Sequence, residues 1–292
     1  MTSALSVSGN EVPREARFGV FEMGMNHKGE LARLTRLVRP HVAIVTTIAP
    51  AHIAHFASDA DIADAKAEIF EGLEPGGTAI IPHDSPHRDR LAAAAKAYAG
   101  RIVTFGLGEV ADVRASYVVR GPRGGSMVTA QLPGAQLSFT ISQPGAHWVA
   151  NALAVLAAVQ AVGGDLALAG LALAELGGLK GRGERHRIAV AGGEALLIDE
   201  SYNANPASMA ATLKVLAEEK VAGRRIAVLG TMRELGEDSG KFHAALAGPL
   251  AAAQVDYAIL VGDGMEALAK ALGGQVKMAH VPDAARDRKS VV

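Results

Sequence analysis

The sequence predicts an α/β protein of two domains, and three observations carry that expectation. Strand-like and helix-like pieces alternate from Arg17 onward, period-two strands interrupt them between Ala115 and Ile141, and a glycine-rich break near Gly177 precedes a second alternating series. Parallel neighbours in a sheet need a crossover long enough to hold a helix, so βαβα order predicts a parallel sheet covered by helices. The 292 residues suffice for a core in each domain.

The first series predicts a strand at Phe18 to Glu22, a polar turn, a helix at Glu30 to Leu37, a strand at Val42 to Ile48 and a helix from about Asp59 to Leu73. It continues with a strand at Thr78 to Pro82, an Ala-rich helix from Arg88 to Ala99 and a strand at Ile102 to Phe105. The period-two stretch is punctuated by Gly121-Pro-Arg-Gly-Gly125 and Pro133-Gly134, which predicts a small antiparallel insertion. His147 to Val162 is apolar, long and free of β-branched runs, as a helix requires. Gly177-Gly-Leu-Lys-Gly-Arg-Gly183 holds four glycines in seven residues and is the expected linker, with domains at 1–180 and 181–292.

The second series predicts strands at Arg187 to Val190 and Ala195 to Ile198, a helix at Pro206 to Glu219 and a strand at Arg225 to Leu229. A helix at Lys241 to Ala253, a strand at Tyr257 to Val261 and a helix from about Met265 follow. Residues 198–209 place compact hydrogen-bonding side chains between a strand and a Pro-started helix, where open parallel sheets bind ligands and helix N–H groups meet anions. Both ends read as truncated, and the final Asp-Arg-Lys-Ser-Val-Val at 287–292 reads as adapter-derived, non-native sequence.

Composition narrows the function classes. Lys plus Arg (29) nearly balances Asp plus Glu (30), so no global field points to nucleic acid or an anionic membrane. There is no cysteine, hence no disulfide framework or thiolate metal site. The apolar runs are too short to span a bilayer and no signal peptide opens the chain. A cytoplasmic, monomeric protein with small-molecule partners is expected.

Three side chains of the first half invite chemistry. Glu22 ends an apolar strand and is either a metal-binding acid at the crevice or a capping or solvated acid. His52 follows a second strand and is either a ligand or a structural histidine. Lys66 shares a helix face with Ile62 and Ile69, where it either snorkels or carries a depressed pKa. A neutral amine there could take up carbon dioxide as a carbamate and act as a carboxylate-like ligand.

Phe21-Glu-Met-Gly-Met-Asn-His-Lys-Gly-Glu30, Thr46-Thr-Ile-Ala-Pro-Ala-His52 and Ala63-Asp-Ala-Lys-Ala-Glu-Ile-Phe70 together resemble successive motifs of the Mur ligase family. The resemblance implies a P-loop-type central domain and a Rossmann-like C-terminal domain, with Glu22 and His52 holding Mg2+ beside a carbamylated Lys66. Gly145-Ala-His-Trp-Val-Ala-Asn151 is similar to the family's Gly-x-His-Asn-x-x-Asn, whose last Asn touches adenine; Trp148 stands where the first Asn belongs, and Asn151 keeps register. Arg182 resembles the linker arginine that reaches ATP, and Asp199 the acid near the ribose and phosphates. The Asp-x-Ser-Tyr-Asn-Ala-Asn-Pro form, and Val228-Leu-Gly-Thr-Met-Arg-Glu-Leu-Gly236 with Ser239 and His243, resemble the branch that adds D-alanyl-D-alanine to UDP-N-acetylmuramoyl tripeptide. That branch implies an amide ligase acting through an acyl phosphate, with Tyr202 at the nucleotide and Asn203 and Asn205 at the dipeptide. Read without the resemblance, the same Asn and Ser residues are ordinary turn and N-cap formers.

Phosphoryl transfer in such a ligase needs a P-loop, and no Gly-x-x-x-x-Gly-Lys-Ser/Thr is present. Gly236-Glu-Asp-Ser-Gly-Lys-Phe242 is one residue short and lacks the hydroxyl. The chain is therefore expected to be an inactive fragment of the enzyme. A folylpolyglutamate synthase-like ligase and a non-catalytic binding module are the alternative readings.

Overall fold

The computed structural model describes residues 15–49, 56, 58–121, 124–177 and 180–283. The chain divides into two compact units, one drawn mainly from residues before Glu175 and one from Leu176 onward, the second also taking 142–147.

In the first unit a six-stranded sheet runs in the order β1 (Val42–Ile44), β2 (Thr78–Pro82), β3 (Arg101–Gly106), β4 (Val113–Arg120), β5 (Ser126–Leu132), β6 (Ala135–Ile141). The first four strands pair in parallel and the last three antiparallel. The predicted antiparallel stretch thus extends the parallel sheet, with β4 joined to β3 through Phe105↔Val113 and to β5 across an irregularity near Ala115. All five residues of β2 are buried, as expected of a strand covered on both faces. Ile80 enters a core with Phe105, Leu153 and Leu156, while Ala79 and Ile81 enter another with Phe70 and Leu91.

The helices of this unit are α1 (Glu30–Val38), α2 (Asp59–Ala67), α3 (Arg88–Ala95), α4 (Ala146–Ala161) and α5 (Leu166–Glu175). The helix expected to reach Leu73 tightens into a 3-10 turn at Glu68–Gly72. There a Cβ on Gly72 would sit 2.3 Å from the Thr35 carbonyl oxygen, and the Thr35 hydroxyl donates to the Ile69 carbonyl at 2.7 Å. The sequence reading left α5 unassigned; Asp165 starts it by accepting from the backbone N–H groups of Ala167 and Leu168.

One expected strand is absent. Among the described residues Phe18 to Glu22 has no ladder partner and β1 forms the sheet edge, and Val20 is 98% exposed. A strand is defined by the neighbour that takes its backbone groups, and an apolar run does not supply one.

The second unit holds a parallel sheet in the order β11 (Lys277–Val281), β10 (Tyr257–Val261), β9 (Ile226–Gly230), and a separate antiparallel hairpin of β7 (Glu184–Val190) and β8 (Gly193–Asp199). Ala195 to Ile198, expected in the parallel series, pairs with β7 instead, across an Ala191-Gly192 turn in which Gly192 takes φ +88°. The helices are α6 (Pro206–Glu218), α7 (Ser239–Ala245), α8 (Ala247–Ala252) and α9 (Glu266–Leu272). The single helix expected at Lys241 to Ala253 is broken between α7 and α8. Pro249 lies four residues after Ala245, cannot donate to its carbonyl and crowds it with the pyrrolidine ring.

Candidate active site

Two sets of candidate residues lie on separate supports. In the second unit, the loop after β8 is clipped to the glycine-rich segment before β7. Gly183 N–H donates to the Asp199 carbonyl at 2.9 Å, and Tyr202 N–H donates to the Gly181 carbonyl at 3.0 Å. Gly181 takes φ +70°, and a Cβ on it would lie 2.8 Å from the Tyr202 nitrogen, so both conformation and space call for glycine. Between these two clips the Arg182 guanidinium lies over the Tyr202 ring, 4.3 Å from its centroid.

Asp199 and Glu200 are adjacent acids driven in opposite directions. The Ser201 hydroxyl and N–H hold the Asp199 carboxyl below its usual range, and His186 adds to this. Burial raises the Glu200 carboxyl, the Asp199 charge raises it further, and Arg182 opposes them. Asn203 accepts from Ala204 N–H at 2.9 Å. Asn205 is the N-cap of α6: its Oδ1 accepts from Ser208 N–H at 2.9 Å while the Ser208 hydroxyl accepts from Asn205 N–H at 3.0 Å. Arg182, Asp199, Tyr202, Asn203 and Asn205 are thus brought together on one loop and its clip.

The Thr231–Gly236 loop is held by His243, which is fully buried. Its Nε2 accepts from Met232 N–H at 2.9 Å, and its Nδ1 donates to the Ser239 carbonyl at 2.7 Å.

In the first unit Glu22 is exposed on the irregular segment before α1, Lys66 projects from α2 and Asn151 is exposed on α4. The Lys66 ammonium donates to the Thr47 carbonyl at 2.7 Å, just beyond β1, and burial lowers its pKa from the ordinary 10.5. His52 lies outside the described residues. Among the described residues no cluster of three or more histidines and carboxylates stands ready to hold a metal.

Two further carboxyls escaped the sequence reading. Glu68 accepts from Gly29 N–H at 2.7 and 2.8 Å and thereby anchors the start of α1. Glu200 meets the linker beside Gly183. Glu68 lies two residues after Lys66 in a motif already singled out, and Glu200 follows Asp199 directly, but their partners are remote in sequence.

Residues 4–159 match the Mur ligase middle domain, and residues 181–290 match the Mur ligase, glutamate ligase domain. The chain belongs to the Mur ligase family. It is 35% identical over 259 residues to the UDP-N-acetylmuramoyl-tripeptide--D-alanyl-D-alanine ligase of Escherichia coli, which covers 89% of this chain and 56% of that protein. The ligase of the same name from Haemophilus influenzae is 32% identical over 259 residues, 89% of this chain and 54% of its own length. A crystal structure of MurF from Acinetobacter baumannii superposes with a TM-score of 0.84 at 32% identity, over 95% of this chain and 58% of that one. The chain therefore spans about half the length of the curated Mur ligases it matches.

Proposed function

We propose that the whole protein containing this chain is an ATP-dependent ligase that adds D-alanyl-D-alanine to UDP-N-acetylmuramoyl tripeptide in peptidoglycan synthesis. The observation that carries this reading is the Asp199-Glu-Ser-Tyr-Asn-Ala-Asn-Pro206 run, folded as the turn that grips the linker arginine and starts α6, in a chain 35% identical to a ligase of that name. In the reaction the tripeptide's terminal carboxylate attacks the γ-phosphorus of ATP, ADP departs and an acyl phosphate forms. The dipeptide amine then attacks the acyl carbon, phosphate leaves with its C–O bond, and the nitrogen loses a proton.

Residue roles follow from chemistry and placement. Asp199, kept ionised by Ser201, accepts from the ribose hydroxyls, while Arg182 on its Tyr202 platform supports the phosphates and Asn151 reads adenine. Asn203 and Asn205 border the dipeptide; the Asn205 carbonyl is taken by the cap, and its amide NH2 remains for a carboxylate or carbonyl.

Glu22, His52 and Lys66 are the residues that would hold a magnesium ion, Lys66 as its carbamate. The fit rests on Lys66: burial favours the neutral amine, the form that adds carbon dioxide with loss of a proton. Carboxylate and carbamate oxygens suit a hard cation. When bound, magnesium offsets charge on the phosphates and acyl group.

ATP and a UDP-linked acceptor place the reaction in the cytoplasm, and the reading is of a monomer. No helix among the described residues is long and apolar enough to cross a membrane. Because the 292 residues contain no P-loop, phosphate release by this chain alone is expected to stay at background. Normal turnover by the isolated chain in a phosphate-release assay would refute that part of the reading.

A further inference from the structure

A short segment joins Glu22 to α1, and α2 grips it from the side. Met25 is buried in a cluster with Ile62 and Ala65 of α2, and Met23, next to Glu22, packs against the same cluster. Helix α1 starts at Gly29, which takes φ +88° and has no side chain with which to cap it. Glu68, in the 3-10 turn that continues α2, supplies the missing acceptor from 39 residues along the chain. Its carboxylate accepts from Gly29 N–H at 2.7 and 2.8 Å and from Ala32 N–H at 3.4 Å. Ala32 is the third helical residue, to which an N-cap side chain ordinarily bonds, and a negative charge suits this end of the helix dipole. Asp61 reaches the same segment through Lys28 at 2.7 Å. Asp61, Ala65 and Glu68 are spaced four and three apart and lie on one side of the element, whereas Lys66 between them donates to the Thr47 carbonyl beyond β1.

We propose that Glu68 is a positioning residue: by capping α1 from the end of α2 it fixes the segment that carries Glu22 against the helix that carries Lys66. The proposal rests on the reading of Glu22 and Lys66 as magnesium ligands and names the group that sets their spacing. A cation takes its ligands only within narrow limits of distance, so a segment free to drift loses affinity without losing a ligand. Of the polar ties to this segment Glu68 matters most. The Lys28–Asp61 pair is exposed and contributes little, and Glu30, which accepts from the Asn26 and His27 N–H groups, ties the segment only to α1. Glu68 joins two separate elements through charge-assisted bonds to backbone amides.

The chain has no cysteine, so spin labels on Glu22→Cys and on the exposed Asp59→Cys report how the segment sits relative to α2. The experiment records that distance distribution in the intact 292-residue chain with Glu68 and with Glu68→Gln, circular dichroism confirming that each is folded. In parallel it titrates Mn2+, a paramagnetic substitute for Mg2+ at oxygen ligands, into the unlabelled chains. The distribution should be narrow with Glu68 and broaden in Glu68→Gln. Mn2+ affinity should fall about 10-fold, as it does for partners that orient metal ligands, and should not fall further when Glu68→Gln is added to Glu22→Gln. Glu68→Asp, which keeps the charge on a shorter side chain, should lose less. A distribution as narrow in Glu68→Gln as with Glu68 would overturn the proposal. So would an unchanged Mn2+ affinity, or equal losses with and without Glu22. Broadening in a chain that binds no Mn2+ would leave the positioning by Glu68 standing and refute the magnesium reading instead.

Discussion

The Arg182 guanidinium stacks on the Tyr202 ring at 4.3 Å from its centroid, and the backbone on both sides of the stack is tied by Gly183 to Asp199 and by Tyr202 to Gly181. A linker arginine is thus held by the same loop that carries the candidate dipeptide residues. An exposed cation–π contact contributes roughly 0.5–1 kcal/mol, so Tyr202→Ala should speed tryptic cleavage after Arg182 by about 2- to 5-fold. Tyr202→Phe should leave the rate near wild type. Peptide mapping of a brief digest checks this, and equal protection in the alanine variant would mean that the stack does not order the arginine.

Lys66 makes a pH prediction of definite sign. Burial disfavours its ammonium, so its folded pKa lies below the unfolded value of 10.5. Between the two values the unfolded chain binds the extra proton, and stability rises with pH across that window. Lys66→Met should abolish this part of the rise in urea unfolding midpoints. With labelled carbon dioxide in neutral or basic buffer, a carbamate carbon signal should appear in the wild type and vanish in Lys66→Arg.

Asn205 has a structural duty whatever it does for a ligand. Replacing an N-cap by alanine costs about 1 kcal/mol, so Asn205→Ala should lower the stability of the second unit by that amount, and Asn205→Ser should restore most of it. An alanine variant as stable as wild type to urea would contradict the capping geometry.

His243 bridges Met232 and Ser239 with no solvent access. His243→Ala leaves a buried N–H unsatisfied and should destabilise by about 1–3 kcal/mol. Hydrogen exchange at Met232 should rise with it, and an unchanged rate would show that the loop is held by other means.

Local chemistry was the legible part of this molecule. Thr78–Pro82 reads as a buried strand because five apolar or compact residues follow Gly76-Gly77, and Pro206 announces α6 with Asn205 before it. Partnership was not legible. Phe18 to Glu22 has the composition of a strand but no neighbour among the described residues, and Ala195 to Ile198 chose β7 over the parallel sheet. The Pro249 break was readable from its ring, yet the Ala-rich run around it masked it. At the candidate site the Asp199–Asn205 run could be singled out as a ligand segment, whereas Glu200 and Glu68 acquire their settings from residues brought near by folding.

The most direct test joins this chain to the part of the Escherichia coli relative that lies outside the matched 56% of its length and follows products by mass spectrometry. Formation of ADP and UDP-N-acetylmuramoyl pentapeptide in equal amounts, only when ATP, the tripeptide acceptor and D-alanyl-D-alanine are all present, is the predicted result. Product formed with a single amino acid in place of the dipeptide, or ATP turnover indifferent to the dipeptide, would contradict it.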